Sequence, residues 1–215
     1  MKNSLFAPDG VYAKVMNWIW DVLLISVYWC LCCIPVITAG AATSAAYYAA
    51  AKCIRAGEGK VTSNFFHAFR LNLKESTLFT ILYLFVFSFL VFDCVYIFND
   101  NQIPLVVLYV FYGMIILTVV SALYLFIFNS RFTLQKFQLF RMAVLSTFRH
   151  FISTLLLLIL LIAMLAGIYL MPWGILLFPG IMFYLFTYIL EPVMRKHMAP
   201  PEDGEEDKWY YFNKN

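Results

Sequence analysis

The sequence predicts an all-α protein, a polytopic bundle of transmembrane helices with amphipathic helices at the inner membrane surface. Three observations carry that expectation. Apolar residues make up 63% of the 215 positions and charged residues 13%, which leaves too little polar surface to coat a soluble globule of this length. No Lys or Arg occurs between Glu75 and Arg131, or between Arg149 and Arg195. Each interval has room for a pair of helices of about 20 residues, the length that crosses a bilayer. The basic residues are confined to short connections between apolar blocks, so the net charge of +3 marks no nucleic-acid surface.

Five blocks read as spans: 15–37, 76–98, 104–129, 151–171 and 173–190. Backbone amides in hydrocarbon must be satisfied within their own segment, and the strict alternation of a membrane β-strand is missing, so each block is expected to be helical. Residues 1–197 form a single transmembrane domain in this reading, and 198–215 a polar cytoplasmic tail.

The connections give an orientation. Residues 52–75 carry Lys52, Arg55, Lys60, Arg70 and Lys74, and residues 131–149 carry Arg131, Lys136, Arg141 and Arg149, whereas "FNDNQIP" and "YLMPWG" have neither Lys nor Arg. Positive connections stay in the cytoplasm, which places the C-terminus on the cytoplasmic side of the plasma membrane, and Lys2 and Lys14 against Asp9 lean the N-terminus the same way. With an internal N-terminus, two crossings must fit between Lys14 and Lys52. The stretch "CCIPVITAGAATSAAYYAAAKCIRAGEG" then supplies a reversal at Pro35 to Gly40, Pro35 ending one helix and Gly40 tolerating turn angles, and a short Ala-rich sixth span. The rival is five spans with an external N-terminus, the Ala-rich segment lying at the inner surface.

Two basic segments look amphipathic. In "TSNFFHAFRLNLKE" the side chains of Phe65, Phe66, Phe69 and Leu73 oppose His67, Arg70 and Lys74, and in the second basic connection Phe137, Phe140, Val144 and Phe148 form a stripe. Phe69-Arg70 before Ser76-Thr77-Leu78 echoes Phe148-Arg149 before Ser153-Thr154-Leu155, as two related halves would. Cys30, Cys32 and Cys33 have no nearby His, Asp or Glu, so they read as apolar filler and no metal or other cofactor is expected.

Charges deep in a bilayer are costly and default to functional candidates. Asp21 is the best of few, with Lys14 or Lys52 as its expected partner, while Asp93 and Glu191 read as boundary residues, Glu191 opening the inner tail. Pro179-Gly180 is expected to break the last span in its middle, either as a kink or as a discontinuous helix lining a solute site. HExxH, GxSxG and phosphate-cradling motifs are absent, and His67, His150 and His197 lie at separate boundaries, so the expectation is a protein that is not an enzyme.

The run "NWIWDVLL", then "LCCIPVITAGAATSAAYY", "FFHAFRLNLKEST" and finally "ILEPVMRKH" resembles the YesL-like family of small bacterial integral membrane proteins of unknown function. Its residues make Trp18, Asp21, Pro35, Thr38, Gly40, Phe69 and Arg70 candidate functional positions, and the expected break in the last span adds Pro179 and Gly180. Ser26 stands where many relatives are expected to have Asn. The resemblance implies an accessory to carbohydrate uptake or sensing, because such proteins are often encoded beside sugar ABC transporters and two-component sensors. The expected partners are thus the lipid bilayer and a sugar ABC transporter or a sensor protein. The alternatives are a small-solute permease and a membrane-embedded enzyme.

Overall fold

A computed structural model describes residues 11–99, 104–132 and 135–196. The N-terminal Lys2 and Asp9, the centre of the "FNDNQIP" turn, His197 and the tail 198–215 lie outside the described residues. The elements are α1 (Val11–Cys33), a 3-10 turn (Val36–Thr38), α2 (Ala39–Ala49) running into a π-helical segment (Ala50–Arg55), α3 (Val61–Asn99), α4 (Leu105–Asn129), α5 (Lys136–Arg149), α6 (Phe151–Leu170), a second 3-10 turn (Pro172–Leu176) and α7 (Phe178–Arg195). The chain is all-α across the described residues. Tyr12–Cys33, Val61–Phe98, Val106–Asn129 and Phe151–Leu170 are long and apolar enough to cross a membrane.

α2 and α7 are not among those four. The block 173–190 begins helically only at Phe178, because Pro172 and Pro179 each deny the helix a donor, and the resulting 18-residue α7 takes in Glu191 and Arg195. Pro179 and Gly180 therefore do not break a helix in its middle. They form its first turn, where a missing N–H costs nothing.

The chain does reverse after α1. Trp29 Nε1 donates to Thr43 Oγ1 at 3.3 Å near the turn, and the α1–α2 hairpin then packs along the first half of α3, from Asn64 Nδ2 on Cys53 Sγ to Ser44 beside Ser76. Thr38 supports the reversal: its hydroxyl lies 2.6 Å from the Cys32 carbonyl oxygen and 2.8 Å from that of Pro35, satisfying acceptors at the open end of α1. Gly40 serves another purpose than the turn angles expected of it. It lies inside α2, where a Cβ would sit 2.3 Å from Phe126 Cε1 and from Thr80 Oγ1. The glycines with left-handed backbone are Gly57 (φ 75°) and Gly59 (φ 76°), which turn the chain from the π segment into α3.

α3 is one helix of 39 residues. At 1.5 Å per residue it reaches about 58 Å, roughly twice the hydrocarbon thickness of a bilayer. The segment with His67, Arg70 and Lys74 is thus no separate interfacial helix but the first turns of α3. Phe65 is wholly buried in protein, its ring 5.5 Å from that of Tyr28 and stacked at 6.4 Å on Phe69, because α1 and α2 cover the side expected to face lipid. The second half of α3 is different: from Ile81 to Phe98 only Leu90 and Cys94 are buried. With the exposed faces of α4 and α6 it presents Phe85, Phe92, Val106, Tyr109, Ile159 and Ile162 outward, an area of apolar surface that water would not tolerate.

The two-halves echo is not carried into the backbone. Phe69-Arg70 lies within an unbroken helix, whereas after Phe148-Arg149 the chain breaks at His150 (φ −109°, ψ 56°) before α6 begins.

Gly180 packs against the backbone of a neighbouring helix. A Cβ there would meet the Val22 carbonyl oxygen at 2.3 Å, and its N–H donates to Ser26 Oγ at 2.8 Å. Gly180→Ala is therefore expected to destabilise by about 1–3 kcal/mol through overpacking against backbone. Gly113→Ala, with nothing within 4 Å of the added methyl in the middle of α4, is expected to stabilise by about 0.5–1 kcal/mol. Thermal unfolding of both variants in one detergent checks the opposite signs.

Candidate functional site

The apolar stripe of α7 recurs at helical spacing as Phe183, Phe186, Thr187, Leu190 and Met194, all buried, and Glu191 falls on that stripe. Its carboxylate is therefore carried into the core, with only 3% of the residue exposed. A buried carboxylate needs a cation, and the end of α4 provides one. Arg131 N–H and Phe132 N–H both bond back to the Phe128 carbonyl, at 3.0 and 2.9 Å, and this tight turn directs Arg131 inward. Arg131 Nη2 pairs with Glu191 Oε1, and the two side chains are 3% and 4% exposed.

Two further groups close the cluster. Tyr47 Oη, on α2, donates to Glu191 Oε1 at 3.3 Å. Arg55, aimed by the π-helical segment, donates from Nη1 to the Thr187 carbonyl, one turn before Glu191, and its guanidinium lies 4.8 Å from the centre of the Tyr188 ring. The wider π turn, closed by Ala56 N–H on the Ala51 carbonyl at 3.1 Å, is what displaces Arg55 from the regular α-helical position. A charged clasp thus ties α2, the end of α4 and α7 together.

A neutral polar chain runs beside it. Asn129 Nδ2 donates to Ser76 Oγ at 2.9 Å and to Asn72 Oδ1 at 3.4 Å, and Ser44 Oγ, 3.4 Å from Ser76 Oγ, donates to the Phe126 carbonyl at 2.6 Å. Asn129 and Arg131 both border a cleft of about 390 Å³, whose other polar walls are Tyr48, His67, Asn72, Glu75 and Ser130. The cleft is half-enclosed, its polar groups interleaved with Ala68, Leu71 and Phe132, and it lies at the end of the molecule that bears the basic connections. Among the described residues no group of three or more His, Cys, Asp or Glu is placed to hold a metal ion.

The residues singled out from sequence fall in three places. Trp18, Asp21, Pro179 and Gly180 lie where α1 meets α7, with the Trp18 ring edge-on to Tyr184 at 5.7 Å. Pro35 and Thr38 end α1, and Gly40 sits on the buried side of α2. Phe69 is half-buried beside Phe65, and Arg70 is exposed on α3. Asp21 is half-buried but has no ion pair with Lys14 or Lys52; Lys52 Nζ lies 3.4 Å from Tyr48 Oη instead. Ser26 keeps a polar role despite its departure from the expected Asn, as the acceptor for Gly180 N–H.

Glu191, Arg131, Tyr47 and Arg55 were not among those candidates. Glu191 was legible: the spacing of Phe183, Phe186 and Leu190 already puts it on the apolar side of its helix. Arg131 and Arg55 were not, because their direction depends on a tight turn and a π turn.

The fold and site describe an all-α protein with membrane-type helices and a charged clasp holding its basic end. The family described as "Protein of unknown function, DUF624" matches residues 15–94, a stretch that covers most of α1, all of α2 and most of α3. The match is consistent with the YesL-like resemblance, includes Tyr47 and Arg55, and stops before Arg131 and Glu191. No curated protein and no solved structure matches the chain.

Removing one partner of a buried ion pair leaves the other charge unpaired, at a cost of about 3–5 kcal/mol, whereas replacing both by apolar side chains of similar volume is often neutral. Glu191→Leu alone is thus expected to lower stability by that amount, and Arg131→Met with Glu191→Leu to recover most of it. Thermal unfolding of the single and double variants in detergent measures the coupling.

Proposed function

We propose that the chain is a non-enzymatic integral membrane protein of the plasma membrane that assists a carbohydrate-uptake or sensing complex. In this reading α1, α3, α4 and α6 cross the lipid and α2 and α7 return the chain. Both basic connections and both termini then lie in the cytoplasm. The single observation that carries the reading is how the enclosed charges are used: the buried pair Arg131 and Glu191 and the half-buried Arg55 are spent on tying helices together. Such groups fit a rigid support for a partner better than a path for a solute. The choice of a carbohydrate complex follows from the YesL-like resemblance.

The permease reading loses its leading residue pair. Pro179 and Gly180 open a helix, with Gly180 packed directly on the Val22 backbone, so the mid-span break on which this reading leaned is missing. Its remaining support is the cleft of about 390 Å³ at Asn129 and Arg131, within the size range of small-molecule sites. The enzyme reading has less, since the clasp joins one carboxylate to one guanidinium and one tyrosine hydroxyl, and Arg55 bonds a backbone carbonyl.

Two measurements separate these readings. Complexes extracted from native membranes with the tagged chain should contain components of a sugar transporter or its sensor, and vesicles reconstituted with the chain alone should show no flux of sugars or glycosides. Saturable flux from the chain alone would establish the permease instead.

A further inference from the structure

The exposed side of α5 has chemistry that the proposed function does not use. Gln138, Arg141, Met142, Leu145, Ser146 and Arg149 line a shallow groove of about 270 Å³ along this helix. Arg141, Leu145 and Arg149 follow one another at i, i+4 and i+8, so they form a single ridge. The two guanidiniums are rooted about 12 Å apart along the axis, a separation that two arginine side chains close when both turn towards one anion.

That positive charge has no answer among the described residues. The sequence contains no Asp or Glu between Asp100 and Glu191, and Glu191 is committed to Arg131 in the core. Among the described residues, no carboxylate pairs with Arg141 or Arg149. The basic residues Arg70 and Lys74 of α3 do not line this groove, and Glu75, which follows Lys74, lines the larger cleft instead.

The surroundings of the groove are apolar and exposed. Phe137 is 76% exposed, Phe148 64% and Phe151 69%, and the outer face of α6 continues from them through Ile152, Leu155 and Ile159. Such a site offers guanidinium forks to a phosphate, amide and hydroxyl groups to its ester and glycerol oxygens, and a continuous oily track to an acyl chain. We propose that this face of α5 binds the phosphate headgroup of an anionic phospholipid, with the acyl chains along α6. The lipid then fixes α5 at the membrane surface and holds the α4–α5 connection, and with it Arg131, in place. This site is independent of the carbohydrate reading and stands or falls separately.

The test uses the full chain in detergent, with native mass spectrometry counting bound lipid as phosphatidylglycerol or phosphatidylcholine is titrated in. Phosphatidylglycerol should bind more tightly, by about thirtyfold if two basic side chains each make the usual contribution at an anionic surface. Arg141→Gln with Arg149→Gln should abolish that preference, while Arg70→Gln with Lys74→Gln, an equal loss of charge, should preserve it. Both pairs are exposed, and circular dichroism of each variant should be unchanged.

Equal losses from the two pairs would reduce the effect to general surface charge and overturn the site. Displacement of the lipid by millimolar inorganic phosphate would assign the groove to a soluble phosphate instead. A tenfold gain in phosphatidylglycerol affinity on neutralising Glu202, Asp203, Glu205, Glu206 and Asp207 together would give it to the chain's own acidic tail.

Discussion

Four helices meet along α2 because its side chains are small. From Gly40 to Ala51 the residues are mostly Ala, Ser, Thr and Gly, and α1, α3, α4 and α7 all pack against this one segment. Helices in lipid gain nothing from excluding water against one another, so they associate where backbones come close and where polar groups bond across the contact. Gly40 under the Phe126 ring supplies the first and Ser44 on the Phe126 carbonyl supplies the second. The helix with the least apolar bulk is the most deeply enclosed, while the most hydrophobic helices, α3 and α4 in their outer halves and α6, remain on the outside. This inverts the arrangement of a water-soluble globule.

The charged clasp completes what α2 begins. Packing of small residues leaves the ends of α4 and α7 free to slide, since apolar contacts have little directional preference. Tyr47, Arg131 and Glu191 fix that freedom with groups whose partners must be met within hydrogen-bond distance, in surroundings where a lost partner is costly. The neutral chain through Ser44, Ser76, Asn129 and Asn72 does the same for α3 and α4 at lower cost. Stability and specificity thus come from different residues: the alanines permit the bundle, and the polar groups select its register.

Much of this was legible in sequence, and the failures have physical causes. The helical class and the membrane-type helices followed from composition and from the spacing of Lys and Arg, which reflect the demands of lipid and need no tertiary detail. The reversal at Pro35 also followed, because Pro acts locally. The function assigned to Gly40 did not, since a glycine required for approach and one required for a turn look the same in one sequence. The break at Pro179 was misplaced because its neighbours 172–177 are as hydrophobic as a span although their backbone forms a 3-10 turn. The stripe of Phe65 and Phe69 was read as lipid-facing because periodicity says that a face is covered but not by what. Glu191 was passed over as the residue that opens the inner tail, although the spacing of Phe183, Phe186 and Leu190 puts it on the apolar side.

The enclosure of α2 is the claim on which the packing, the clasp and the support role all rest. The most direct measurement is oxidative crosslinking in native membranes of a chain with Ser44→Cys and Ser76→Cys, its five native cysteines replaced by alanine. The account predicts a rapid bond within one chain, because the two hydroxyl oxygens lie 3.4 Å apart, and protection of both thiols from a membrane-impermeant label. An unbonded pair, with the thiol introduced on α2 open to that label, would contradict it and would return the Ala-rich segment to the membrane surface.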